Sequence, residues 1–314
     1  MLLRSMILPV FLCALAPLST AKAADTSDLV SVDEKRVQFS SVFTNDFLGD
    51  GDDRWRTFSW DVSATFGGGD LRVLPSKPFE RFQIRLRTEV IAPESLSAPV
   101  AGDRQLAGII GLGAFSHFQA SAYEVFYGGE LVFVGENTGV SKALTDIHDS
   151  LDFNIPSAAV LANQIPNAVY PTIHAGISRS IRHQKSLFRP FAEAQAGAET
   201  FIRVGADTVF GGAMIHDFLL RDSVSGQLVT HSKSDQSQGF GFLLGADAAY
   251  VVDSNYLANS GASKFKEFRP RARAGLVYQA KKFDAFYGAT WLGKEFEGQS
   301  DDQIVGSLSL RLSF

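Results

Sequence analysis

The sequence predicts an all-β membrane protein: a transmembrane antiparallel up-and-down β-barrel of about twelve strands, with a short helix in an extracellular loop. Three observations predict it. Residues 1–23 read as a secretory signal, with Arg4 as its charged start, an apolar Met6–Pro17 stretch and a small-x-small Ala21-Lys22-Ala23 cleavage site. That leaves residues 24–314 as one outer-membrane barrel domain without cysteine, so disulfides and thiolate metal sites are excluded. Finally, Asp302–Phe314 alternates strictly, with Ile304, Leu308, Leu310, Leu312 and Phe314 on one face and Ser307, Ser309, Arg311 and Ser313 on the other. Lipid-facing apolar and lumen-facing polar residues give a membrane barrel strand this period.

The same pattern recurs along the chain. Arg36–Asn45 carries Val37, Phe39 and Phe43 on one side, and Trp55–Phe66 is rich in aromatics. Arg81–Val90 sets Phe82, Ile84, Leu86 and Val90 against Arg81, Gln83, Arg85, Arg87 and Glu89. Ala107–Phe118, Tyr123–Gly135, Thr172–His183, Phe188–Val204, Gly239–Val252, Phe268–Tyr278 and Phe283–Phe296 follow. Gly205–Gln238 is Gly-, Ser- and Asp-rich and poorly periodic, yet an even strand count requires one more strand there. Arg85, Arg271 and Arg273 on inner faces suggest a filled lumen rather than a wide channel. The terminal Phe314 resembles the closing residue of bacterial outer-membrane barrels.

Sides follow from a periplasmic N-terminus. Gly67–Pro78, His117–Ala122, His183–Ser186 and Ala280–Lys282 become periplasmic turns, and Asp46–Arg54, Ala92–Gln105 and Glu136–Pro171 face outside. The last is far longer than a wall needs, which marks it as functional. Within it Glu136–Asp149 reads as an amphipathic helix with Thr138 as N-cap and a stripe of Val140, Leu144, Ile147 and Leu151. The outer wall is the nearest apolar surface for that stripe. His148 lies on the stripe's edge, flanked by Asp146 and Asp149, which would raise its pKa.

Without the leader, 27 Lys and Arg face 34 Asp and Glu, a balance that argues against nucleic-acid binding. No G-x-S-x-G, H-E-x-x-H or phosphate-cradling loop is present. Of six histidines, His117 and His183 fall in periplasmic turns, and His216 and His231 in the unplaced region. His174 competes with His148, which is preferred for its helix but on pattern alone reads first as a helix-face histidine that merely snorkels. Asp46, Asp50, Asp52 and Asp53 form an acidic loop that suits a hard cation but departs from the EF-hand spacing. By composition it is a solvated loop.

Four blocks are similar to the outer-membrane lipid A 3′-O-deacylases, a family of twelve-stranded, calcium-dependent barrels. Asn45-Asp46-Phe47 and Asp53-Arg54-Trp55-Arg56-Thr57 resemble its E-N-D and D-R-x-Y-T-N-G. Asp103-Arg104-Gln105-Leu106-Ala107-Gly108 resembles D-R-P-Y-A-G. The His148 helix and Asn163-Gln164-Ile165-Pro166-Asn167 resemble Q-x-x-x-H and W-x-x-Q-L-x-N, and Lys294–Gln299 forms the fourth block. Departures stand at Thr44, Arg56, Phe58, Ser59, Gln105, Leu106 and Leu144. The resemblance implies His148 as general base on a water, with Asn45 and Asp46 at the oxyanion and Ca²⁺ site. Asp46 would be the metal ligand, Thr57 a supporting contact, and Asp103 and Arg104 headgroup contacts. It also implies lipid A of the bacterial outer membrane as partner, and a monomer. The rival expectations are an acyl hydrolase acting on another outer-leaflet lipid, and a non-catalytic structural or pore barrel.

Overall fold

A computed structural model describes residues 36–312; the expected leader and Ser313-Phe314 lie outside them. The wall starts with β1 (Arg36–Asn45), β2 (Trp55–Gly67), β3 (Arg81–Ala92), β4 (Ala107–Ala120) and β5 (Tyr123–Val134). β6 (Ala168–Ser178) and β7 (Ile181–His183) are two halves of one wall strand, both paired with β8 (Ser186–Ala196). β9 (Glu199–Gly211) follows, then a lumenal hairpin of β10 (Phe218–Arg221) and β11 (Leu228–Ser232). β12 (Gly239–Ser254), β13 (Phe268–Gln279), β14 (Phe283–Leu292) and β15 (Gln303–Leu312) complete the wall. Neighbours pair antiparallel, and β1 closes on β15, giving a twelve-stranded barrel. Closure pairs every wall strand on both sides, as hydrocarbon demands.

The count agrees with expectation, but the eighth strand is not where parity placed it. Phe188–Val204 is two strands folded back at Gly197-Ala198, and the eighth is β9. Alternation ran through the turn because only two residues make it. Gly197, at φ +144°, packs so closely on Pro171 and Thr172 that a Cβ would strike their backbone. The rest of the unplaced region enters the barrel as a plug. Leu219, Leu228 and Val229 pack against Val42, Leu243, Val277 and Phe286 of the wall. At the plug's tip Asp222 accepts hydrogen bonds from the Ser225 amide and hydroxyl (2.7 and 2.6 Å), and Gly226 turns at φ +72° under Arg271.

The lumen holds ion pairs where the alternation put charge. Arg271 and Arg273 bind Asp247, Arg273 also binds Asp207, and Arg87 binds Glu89 at 2.7 Å. His117 belongs to β4 rather than to a turn, and faces inward to Gln83 (2.7 Å). His174 faces Glu130 at 3.3 Å, which removes it as the helix histidine's competitor. His231 lies in the plug, 2.6 Å from the Ser40 hydroxyl.

The long loop docks outside the wall. A 3₁₀ turn (Glu136–Thr138) precedes α1 (Val140–Ser150), so the helix starts later than expected, with left-handed Gly139 rather than Thr138 as its N-cap. Thr138 instead donates to the Gly135 carbonyl. A second helix, α2 (Ala158–Ala162), follows, capped by Ser157. Val140 and Leu144 pack on Val90, Ala92 and Leu106 at the ends of β3 and β4, with Val160 of α2. Ile147 is 46% exposed, so the expected stripe is covered only in part. Gly108 allows this approach: a Cβ there would stand 2.6 Å from Ser141 Oγ and 2.7 Å from Thr138 Oγ1. Gly108→Val should lift α1 from the wall. Brief external proteolysis should then cut the long loop, while the barrel keeps its heat-dependent gel mobility.

Candidate active site

The site lies at the barrel end that carries the long loops, between the β1–β2 loop and α1. Asn45 ends β1 and caps the 3₁₀ turn Asp46–Leu48: its Oδ1 accepts the Phe47 amide (2.8 Å) and its Nδ2 donates to the Thr57 carbonyl (2.7 Å). Asp46 is buried against this turn. Its carboxyl accepts the Phe47 and Arg54 amides (both 2.9 Å) and faces the Thr57 hydroxyl at 3.2 Å. Burial nevertheless pushes it up to about 8, with neighbouring Asp53 adding repulsion.

Thr57 reaches the site through a bulge. The β2–β3 register slips between Trp55 and Phe58, where two residues of β2 face one of β3. Arg56 turns into the lumen toward Glu295 and Glu89, while Thr57 joins Asp46 and Asp53. The Thr57 hydroxyl is 2.6 Å from Asp53 Oδ1 and has one proton for two carboxyl neighbours.

His148 comes to the same cluster from α1. Its Nδ1 faces the Asn154 carbonyl at 3.0 Å and Asp53 Oδ2 at 3.2 Å. Two acceptors at Nδ1 place the proton there and leave Nε2 with its lone pair. The hydrogen bond to Asp53 raises its pKa above the ordinary value. The expected partners Asp146 and Asp149 are not the cause; Asp146 pairs with Lys142 along the helix at 2.8 Å. Residue chemistry had singled out Asp53 only as part of an acidic run. Its position in the D-R block was the available signal.

The fold therefore brings together four expected residues, Asn45, Asp46, Thr57 and His148, and adds Asp53 and the Asn154 carbonyl. It sets two apart. Asp103 folds its own loop, accepting the Glu94 and Arg104 amides (2.7 Å each), with its carboxyl raised by burial. Arg104, expected as a headgroup contact, is 3% exposed and turns into the lumen's outer end, where it binds Glu295. Buried inside the wall, its guanidinium cannot meet a lipid outside it.

The donor set fits a hard cation in kind. Asp46 and Asp53 are oxygen donors, and a buried carboxyl driven up this far favours a positive charge beside it. Among the described residues, no three acidic or imidazole side chains gather as a ready-made cage. Further oxygens would come from carbonyls, substrate or water.

A family model described as Outer membrane protein LpxR matches residues 8–314. Among solved structures, LpxR from Salmonella typhimurium superposes with a TM-score of 0.72 at 14% identity, over 88% of this chain and 100% of that one. That likeness is one of fold. The KdgM porin (TM-score 0.39, 6% identity, 89% and 99% covered) and the NanC porin (0.41, 6%, 88% and 100%) align too weakly to add to it. No curated protein sequence matches the chain.

Proposed function

The chain belongs to the LpxR outer membrane protein family, the lipid A 3′-O-deacylases its motifs resemble, and from that premise we propose that it hydrolyses 3′-linked acyl esters of lipid A. It would act as a monomer in the bacterial outer membrane, on a substrate in the outer leaflet. One observation carries the reading: a half-buried imidazole outside the barrel wall, with Nδ1 held by Asp53 and the Asn154 carbonyl.

In this mechanism Nε2 of His148 takes a proton from water as the oxygen attacks the ester carbonyl. The ester C–O bond then breaks, and the imidazolium gives the proton to the departing lipid A oxygen, which leaves as the free hydroxyl. The products are a free fatty acid and a shortened lipid A. Asp53 orients the ring and stabilises its positive form. Asn45 commits one Nδ2 proton to Thr57 and keeps the other for the oxyanion. Thr57 holds Asp46 and Asp53 together. Ca²⁺ would be held by Asp46, and when bound it would polarise the ester carbonyl as a Lewis acid. The lumen's plug and ion pairs speak against the pore alternative.

Mass spectrometry of lipid A tests this. Bacteria expressing the chain should gain a species lighter by the 3′ acyl group. The purified protein in detergent should lose activity on chelation and recover it with Ca²⁺. An unchanged lipid A profile from folded protein would reject the reading, and cleavage of phospholipid instead would select the other acyl-hydrolase alternative.

A further inference from the structure

Two exposed phenylalanines from different loops meet beside the candidate base. Phe47 follows Asp46 directly and is 59% exposed; Phe153 follows α1 and is 36% exposed. Their ring centroids are 6.0 Å apart, and the Phe153 ring lies edge-on to the His148 imidazole at 5.7 Å. Water disfavours exposed aromatic area at a loop end, so a pair held there indicates an apolar occupant.

The polar atoms around the pair are largely committed within the protein. Asp46 faces three donors, Asn45 accepts the Phe47 amide and spends one Nδ2 proton on Thr57, and Nδ1 of His148 has two acceptors. They leave little with which to hold a lipid in place by its polar groups. The pair is also continuous with the membrane-facing wall. Leu48 lies on the lipid side of β15, so close to Gly306 that a Cβ there would be 2.5 Å from its own, and Tyr287 donates to the Leu48 carbonyl at 2.9 Å. From Leu48 on the lipid side of β15, ring contacts run through its neighbour Phe47 to Phe153 and on to His148, a continuous apolar path from the wall to the imidazole.

We propose that Phe47 and Phe153 form the seat for the acyl chain of the substrate, setting chain-length preference by holding methylenes that lie a ring's width or more from the ester and that a short chain lacks. The seat rests on the lipid-hydrolase reading above, and binding can test it separately from hydrolysis. The full chain in detergent is titrated with non-hydrolysable ether analogues of lipid A carrying a short or a long 3′ chain. Phe47→Ala and Phe153→Ala should each weaken long-chain binding about tenfold and change short-chain binding little, since each removes one aromatic contact area. Phe47→Leu should restore most of the loss, and Val100→Ala, exposed on another outer loop, should change nothing. With the ester substrates, the same variants should raise KM for the long chain and leave kcat near wild type. Alanine variants that keep the wild-type dependence on chain length overturn the seat. A seat seen with ether analogues, but no hydrolysis of any ester by wild type, upholds the seat and overturns the enzymatic reading.

Discussion

Under the proposed mechanism, His148→Ala should lower lipid A deacylation by roughly a hundred- to ten-thousandfold, the range expected when a positioned general base is lost. The protein should keep its barrel, because α1 is anchored by Val140 and Leu144 on the wall and not by the imidazole. Single-turnover release of fatty acid from purified lipid A measures the loss, and circular dichroism of the same sample reports the fold. The pH profile carries a second signature. A base must be neutral to act, and Asp53 holds the imidazole in its protonated form above its usual range. Activity should therefore rise with pH through a midpoint above about 6.5, the ordinary histidine value. In Asp53→Asn that midpoint should move to lower pH, with a lower plateau because the ring is less firmly oriented. A midpoint unmoved by this change would mean that the Asn154 carbonyl alone sets the ring.

Glu295→Ala should be among the most destabilising single changes in the molecule. This carboxylate sits at the outer end of the lumen, where it accepts Arg56 at 2.7 Å and binds Arg104, with Arg269 at 3.6 Å. Those three cations hold its pKa far below the usual carboxylate range. Removing it leaves the Arg104 guanidinium without an anion and strips Arg56 to Glu89 and a longer contact with Glu199 at 3.5 Å. Breaking a buried pair from one side costs about 3–5 kcal/mol, because the remaining charge stays desolvated. Denaturant unfolding in detergent should show this loss. Glu295→Gln should recover part of it, since the amide oxygen still accepts hydrogen bonds. The change should also disturb the site indirectly, because Arg56 and Thr57 share the β2 bulge.

Much of the fold was legible because a barrel strand is a local object. Its two faces meet different solvents, so alternation marks each strand without reference to its neighbours, as in β3, β13 and β15. The misplaced eighth strand shows where this stops. A two-residue turn at Gly197-Ala198 leaves the period almost undisturbed, and only pairing partners distinguish one long strand from two short ones. The plug was not legible, because its residues pack inside other strands rather than against lipid.

The site divides along the same line. The helix, its histidine and the Asn45-Asp46 turn could be named from the chain and its family resemblance. That His148 is held by Asp53 and not by its neighbours Asp146 and Asp149 could not, since helical neighbours point along the helix while the β1–β2 loop approaches from the side. The bulge that sends Arg56 inward and Thr57 to the site, the inward turn of Arg104 and the meeting of Phe47 with Phe153 were likewise decided by tertiary structure alone. By itself the sequence determined a lipid-facing barrel with a histidine-bearing helix in its longest outer loop, because solvent polarity writes a period into each strand. Which side chains meet around that histidine was left to the closure of the barrel, because contacts between distant loops depend on register and strand geometry that no local pattern encodes.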